Sequence, residues 1–235
     1  NSESEFAYIR MWRLYDYVDY FIIMISELTF SGLPNNISFA PFEKDIEPYK
    51  DKIHIFSKPR KICYRHAYHG IKSRWCRENS QRDYSLIIMR EKFNLTSNDL
   101  VLVSDVDEIF TREAMRYIIK NPPKTYYYVK GAMYFPYYFH KVEDWNRAFV
   151  YRYDENNHHL AKLRLIFNSE NLIKGEHEFI THCSYCFRTI EQYRRKLQSF
   201  SHQEFNKPPF ITNDWIFRSH YCREKINSGR GIDEN

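Results

Sequence analysis

Three acids fall within four residues at Asp105-Val106-Asp107-Glu108, directly after the apolar run Leu100-Val101-Leu102-Val103. Carboxylates that close repel one another, so they cost stability unless a cation stands among them. Hard oxygen donors suit Mg²⁺ or Mn²⁺, and these ions commonly carry the phosphates of a nucleotide. Asp105 and Asp107 are therefore the candidate metal ligands. The plainer alternative is an acidic turn whose Glu108 helps the next helix begin, because Asp-x-Asp recurs by chance. The preceding run has the length and β-branched content of a buried strand. Such a strand delivers the acids to its carboxyl end, the edge where open α/β sheets bind ligands.

Proton-transfer groups lie in the later half: Glu176, His177, Glu178, His182, His202 and Glu204. Any of them could take a proton from an acceptor hydroxyl, and each has a structural role as its alternative. The chain has no Gly-rich phosphate loop and no Gly-x-Ser-x-Gly elbow. Kinase, NTPase, dehydrogenase and serine-hydrolase readings fall away. His182 beside Cys183 is adjacency in sequence, which is not a thiol-imidazole arrangement. Cys183-Ser-Tyr-Cys186 has the spacing of half a zinc site, but no second pair answers it. The other cysteines are Cys63, Cys76 and Cys222. With the acceptor sequences Asn36-Ile-Ser38 and Asn94-Leu-Thr96, they favour a lumenal protein with one or two disulfides and one free thiol.

A chain of 235 residues buries a real core and is most simply one domain. Its 20 Tyr and 18 Phe suit sugars, bases or protein partners as well as a core. The 35 basic and 30 acidic residues are interspersed, with one local cluster at Lys58 to Arg65, so nucleic-acid binding is not indicated. No apolar stretch reaches membrane-span length and no signal peptide opens the chain.

Periodicity predicts a helix over 4–17 with Phe6, Ile9 and Leu14 inward and Arg10 near that face. Strands follow over 18–25 and 52–56, then a long helix over 73–93. On that helix Trp75, Glu78, Arg82, Leu86, Met89 and Phe93 share one stripe. The Glu and Arg on it either pair with each other at the rim or face a ligand. After the acidic strand, Thr111 caps a helix with Met115, Ile118 and Ile119 inward. This order predicts an α/β sheet of mainly parallel strands, with a further strand expected ahead of residue 1. From Pro122-Pro123 onward the runs 125–139, 148–153 and 161–167 read as strands of a more antiparallel half. Thr189-Ile-Glu-Gln192 is a capping box for a helix burying Ile190, Tyr193, Leu197 and Phe200. Trp215-Ile216-Phe217 is an apolar segment in the tail.

Several segments carry a further likeness: Asn1, Glu5 and Arg10; Val18-Asp19-Tyr20-Phe21-Ile22-Ile23; Glu27 to Gly32; and Trp75, Glu78 and Arg82. Asp105, Asp107, Glu108 and Ile109 continue it, then Thr181-His182-Cys183-Ser184-Tyr185-Cys186-Phe187 and Lys196-Leu197-Gln198-Ser199. In this order and spacing the chain resembles glycosyltransferase family 17 from Asn1 to about Gly229. It departs from the family's pattern at Phe110, where Pro is usual, at Thr181 in place of Trp, and at Leu28 in place of a polar residue. The resemblance implies a GT-A-like Rossmann domain, with a nucleotide-sugar half over 1–121 and an acceptor half over 122–235. It also implies a UDP-N-acetylglucosamine donor, an N-glycan mannose acceptor, inverting β1,4 transfer, and a Golgi lumenal setting behind an N-terminal anchor. Asp107 would then ligate Mn²⁺ or Mg²⁺, and Asp105 would reach the metal or the ribose. Glu27, Thr29, Gly32, Glu78, Arg82 and His182 would line the donor, with Arg82 or His182 at the phosphates. Glu204 is the expected base ahead of Glu178, and Tyr134, Tyr137 and Tyr138 form the acceptor platform. The alternatives are a sugar-binding module without turnover and a nucleotidyltransferase releasing pyrophosphate.

Overall fold

The computed structural model describes residues 2–35, 43–59, 73–134, 141–157, 159–173, 178–221, 226–227 and 231–232. In chain order the helices are α1 (Ser2–Leu14), α2 (Glu43–Ile46), α3 (Ser73–Lys92), α4 (Arg112–Lys120), α5 (Leu160–Leu165), α6 (Ile190–Ser199) and α7 (Asn213–Tyr221). The strands are β1 (Phe21–Ser26), β2 (Ile53–Lys58), β3 (Leu100–Val103), β4 (Glu108–Phe110), β5 (Tyr126–Val129) and β6 (Gly131–Tyr134). They continue with β7 (Lys141–Asp144), β8 (Phe149–Arg152), β9 (Leu172–Ile173), β10 (Ile180–His182), β11 (Ile226–Asn227) and β12 (Gly231–Ile232). The fold is mixed α/β.

β1 and β2 run parallel, from Phe21 opposite Ile53 to Ser26 opposite Lys58. The acidic strand β3 is antiparallel to β8, which is antiparallel to β5, and β5 takes β9 in parallel. A second four-stranded sheet has the order β4-β10-β6-β7, with only β10 and β6 parallel. The ladders are mixed and the later half is rich in antiparallel pairs, as expected, but β3 is antiparallel to its neighbour where a parallel strand was expected. The chain passes between the two four-stranded sheets at five places, three of them short connections: from β3 to β4, from β5 to β6, and from β7 to β8. The acids occupy the first of these crossings, so they stand at a junction of sheets. Between β5 and β6, a Cβ on Gly131 would meet the Trp145 carbonyl oxygen at 2.6 Å and Ile180 Cβ at 2.9 Å. Only glycine lets those backbones approach so closely.

The largest apolar cluster joins α1 and α4 to both halves of the chain, through Ala7, Met11, Leu14, Phe21, Phe110, Met115, Val129, Val150 and Ile180. A second cluster packs α3 through Leu86 and Met89 against Tyr128, Phe149, Tyr151 and Leu160. A third holds α6 and α7 together through Tyr193, Leu197, Trp215 and Ile216.

Three expectations change. The inward stripe of α1 is Ser4, Ala7, Met11 and Leu14, while Ile9 is exposed; small residues at two of these positions suit close packing against β4. Ile119 is 57% exposed, because Ala114, Met115 and Ile118 already form the buried face of the short helix α4. The alternating segment 161–167 is not a strand. Residues Leu160–Leu165 form α5, which packs against α3 and buries Leu160, Ala161 and Arg164. Its start is capped from another element, since the Ala161 N–H donates to Asp83 Oδ1 of α3 at 2.9 Å. Trp215 and Ile216 lie buried on α7.

Candidate active site at the sheet junction

The turn between β3 and β4 is tight: the Glu108 N–H donates to the Asp105 carbonyl at 3.1 Å. The Asp105 N–H in return donates to Glu108 Oε2 at 2.7 Å. Glu108 is fully buried. It accepts from Trp145 Nε1 at 2.5 Å and from both Arg164 nitrogens, at 2.6 Å and 3.1 Å. Both of its oxygens are consumed, so Glu108 staples the turn and presents no face to a ligand.

Asp105 lies between two guanidiniums. Arg82 Nη2 donates to its oxygens at 2.9 Å and 3.1 Å, and Arg164 Nη2 donates to Oδ2 at 2.7 Å. Arg10 of α1 donates to the Asp105 carbonyl at 2.9 Å. Burial alone would raise the Asp105 carboxyl, but Arg164 and then Arg82 outweigh it and hold the group down to about 2. The same acids reverse the effect of burial on Arg164 and raise it. Arg82 continues through Glu78 Oε1 at 2.7 Å, and the other Glu78 oxygen accepts from the buried Ser201 hydroxyl. One chain of hydrogen bonds thus runs from the acid turn across α3 to the end of α6.

Asp107 is buried and has different company. His182 Nε2 of β10 is 3.6 Å from Oδ1, and Lys196 Nζ of α6 is 3.5 Å from Oδ2. Burial opposes its ionisation, yet Lys196 and then His182 hold the carboxyl well below the usual carboxylate range. Lys196 responds in kind: burial pulls it down, Asp107 pulls it further up, and the net shift is upward. Trp145 lies over the His182 ring with centroids 4.1 Å apart, and His182 Nδ1 is buried with no hydrogen-bond partner. The Tyr185 hydroxyl, raised by burial to about 12, belongs to the same cluster.

The three acids are therefore compensated by Arg82, Arg164 and Lys196. No group of three or more metal-binding side chains occurs among the described residues. The pair that fits a divalent ion is Asp107 with His182, a carboxylate and the imidazole Nε2 that faces it; the orphaned Nδ1 lies on the other side of the ring. Asp105 fits less well, because two arginines already take its oxygens.

The loop after β1 packs against α6. Thr29 is buried; its hydroxyl accepts from the Leu33 N–H at 3.0 Å and bonds with the Ser31 hydroxyl at 2.9 Å. Gly32 has φ of 100°, and Arg77 packs against it while donating to the Phe30 carbonyl at 2.7 Å. α6 holds the loop from the other side: the Ser31 N–H donates to the Ser199 carbonyl, and Arg195 donates to the Pro34 carbonyl at 2.6 Å. A cleft of about 390 Å³ lies between them, lined by Ser31, Leu33, Gln198, Gln203 and Asn206. Glu204 stands on the turn Gln203–Phe205 beside this cleft, with Oε1 2.6 Å from His202 Nδ1. The His202 ring meets Trp75 edge-on at 4.8 Å.

Arg82, Glu78, Asp105, Asp107 and His182 come together through the contacts above. Thr29 and Gly32 shape the loop, with Glu27 exposed at its start, where its carbonyl accepts from the Asn35 N–H. Glu178 precedes β10 and is partly buried, and Tyr134 ends β6. Tyr137, Tyr138, Glu176 and His177 lie outside the described residues. Sequence reading missed Arg164, Trp145 and Lys196 as parts of the cluster. Arg164 sits in the segment misread as a strand. Lys196 carried one signal, a cation inside an otherwise apolar helix face. Cys183 and Cys186 stand at disulfide distance with Cα atoms 5.4 Å apart, and Cys76 is also disulfide-bonded.

The family model for glycosyltransferase family 17 matches residues 1–225. No curated protein and no solved structure matches the chain. The chain belongs to glycosyltransferase family 17.

Proposed function

We propose, taking membership of that family as the premise, that this chain is an inverting UDP-sugar glycosyltransferase with a GT-A-like Rossmann domain. It moves N-acetylglucosamine from UDP-N-acetylglucosamine to a mannose of an N-glycan in β1,4 linkage, in the Golgi lumen behind an N-terminal anchor. The observation that carries the reading is the junction itself, where Asp107 and His182 converge beside Lys196 while Asp105 is braced by Arg82 and Arg164. That arrangement supplies a carboxylate for a cation and basic groups for a diphosphate within one small volume.

The acceptor hydroxyl oxygen bonds to the anomeric carbon on the face opposite the diphosphate, and the bond from that carbon to the diphosphate oxygen breaks. UDP leaves with the electron pair, and Glu204 takes the hydroxyl proton. Lys196 stabilises the charge gathering on the leaving phosphates. Asp107 and His182 would hold Mn²⁺ or Mg²⁺, which supplies Lewis-acid neutralisation of that charge when bound. Asp105, fixed by its arginines, is left to meet the ribose side. The 390 Å³ cleft beside Glu204 suits part of the donor or acceptor, and Tyr134 would begin the acceptor platform.

UDP release from UDP-N-acetylglucosamine, with Mn²⁺ and N-glycan acceptors, tests this. Turnover is expected in the wild type and is lost in Asp107→Ala, with the fold retained by circular dichroism. Binding without release in the wild type would instead mark a non-catalytic sugar-binding module, and pyrophosphate release a nucleotidyltransferase.

A further inference from the structure

The acids at the junction have two kinds of counter-ion. Arg164 grips Glu108 through two nitrogens at 2.6 Å and 3.1 Å, a fork that is hard to exchange. Lys196 reaches Asp107 with a single ammonium at 3.5 Å, at the outer edge of hydrogen bonding. Its four-carbon stem rotates freely compared with a guanidinium fork, and its side chain is 21% exposed. Lys196 is therefore held at Asp107 chiefly by charge, in a position from which it can move. Oδ2, the oxygen it faces, belongs to the carboxylate whose other oxygen faces His182.

We propose that Lys196 is an exchangeable counter-ion: it competes with a divalent cation for Asp107, and when the cation takes the carboxylate the ammonium passes to the donor's diphosphate. This rests on the transferase reading above. A divalent ion on Asp107 puts three positive charges around one carboxylate, and the mobile one is displaced by repulsion. The diphosphate arrives with the negative oxygens that the ammonium has lost. Lys196 then serves the site twice, first keeping a buried carboxylate ionised and later binding substrate.

Calorimetric titration of the whole chain with Mn²⁺ alone, and then with UDP at saturating Mn²⁺, separates the two roles. Lys196→Met is expected to bind Mn²⁺ at least about tenfold tighter than the wild type, because the competing charge is gone. The same variant is expected to bind UDP at least about tenfold more weakly, having lost a phosphate contact. Lys196→Arg keeps the charge and is expected to bind Mn²⁺ no tighter than the wild type; if Lys196→Met does not fold, Lys196→Gln takes its place. Unchanged Mn²⁺ affinity in the neutral variant, or unchanged UDP affinity, overturns the proposal. Failure of the wild type to bind UDP at any Mn²⁺ concentration overturns the transferase reading instead, and the titration with Mn²⁺ alone still reads the competition.

Discussion

Arg164 closes a two-pronged ion pair on Glu108, with Nη2 2.6 Å from one carboxylate oxygen and Nη1 3.1 Å from the other, and Glu108 has no solvent exposure. Removing one member of such a pair leaves a buried charge without compensation. Arg164→Met is therefore expected to lower stability by about 3–5 kcal/mol. The double variant Arg164→Met, Glu108→Leu should recover much of the loss, because the Glu108 charge is then gone and Asp105 keeps Arg82 as its partner. Urea denaturation of the two single variants and the double variant measures the coupling. Additive effects would mean that the pair is not what holds the turn.

The helix carrying Arg164 is capped by a residue of α3, so its stability is expected to depend on Asp83. Asp83→Ala should cost about 1 kcal/mol, the usual worth of a helix N-cap. Asp83→Asn keeps an oxygen for the Ala161 N–H and should stay close to the wild type. Thermal melts of both variants decide this, and equal losses would show that charge rather than capping is at work.

Acid should loosen the junction in a defined window. Asp105 in the folded chain is held at about 2, below the unfolded value of about 3.9. A depressed carboxyl contributes stability that is fully present above the unfolded value and is lost as pH falls through the folded one. Between pH 5 and pH 2 (a range set by these two values) the wild type should lose urea resistance more steeply than Asp105→Asn. The gap between them is expected to be widest near neutrality. Parallel curves would remove Asp105 from the account.

The relay from Asp105 through Arg82 and Glu78 to Ser201 ends next to the turn bearing Glu204. Glu204→Gln should reduce kcat by about 10²–10⁴, the range a positioned base contributes, with little change in donor affinity. Ser201→Ala acts on Glu204 through the turn, so its loss should fall in kcat rather than in KM for the donor. A rise in donor KM alone would place Ser201 on the nucleotide side instead.

Divalent-ion removal gives a further check. Activity should disappear in EDTA and return with Mn²⁺, and Asp107→Asn should need far more Mn²⁺ for half-maximal rate than Asp105→Asn. The reverse order would make Asp105 the principal ligand.

Much of this site could be read from residue order, and the unread part has a consistent cause. The acid turn, the Glu78 and Arg82 stripe and the capping box at Thr189 are local patterns, and each reappears in the structure. The Glu and Arg of α3 were open between a rim pair and a ligand-facing pair; they prove to pair with each other and also to reach Asp105 and Ser201. What escaped depends on contacts between distant segments. Residues 161–167 alternate like a strand, and the contacts that hold a helix there come from far along the chain, an acceptor 78 residues earlier on Asp83 and the Tyr128 hydroxyl on the Leu163 carbonyl. With that helix unread, Arg164 could not be placed beside the acids. The antiparallel partner of β3 was equally invisible, since nothing within Leu100 to Val103 states the direction of its neighbour β8.

Arg195, Lys196 and Ser199 lie within five consecutive residues of α6, about one and a half turns. Through them the helix grips the loop at Pro34, the carboxylate of Asp107 and the amide of Ser31. A rod that short cannot let go of the loop and keep its hold on the carboxylate. Whatever tilts α6 therefore shifts the loop after β1 and the acid turn in a single movement, and neither can be tuned without disturbing its counterpart.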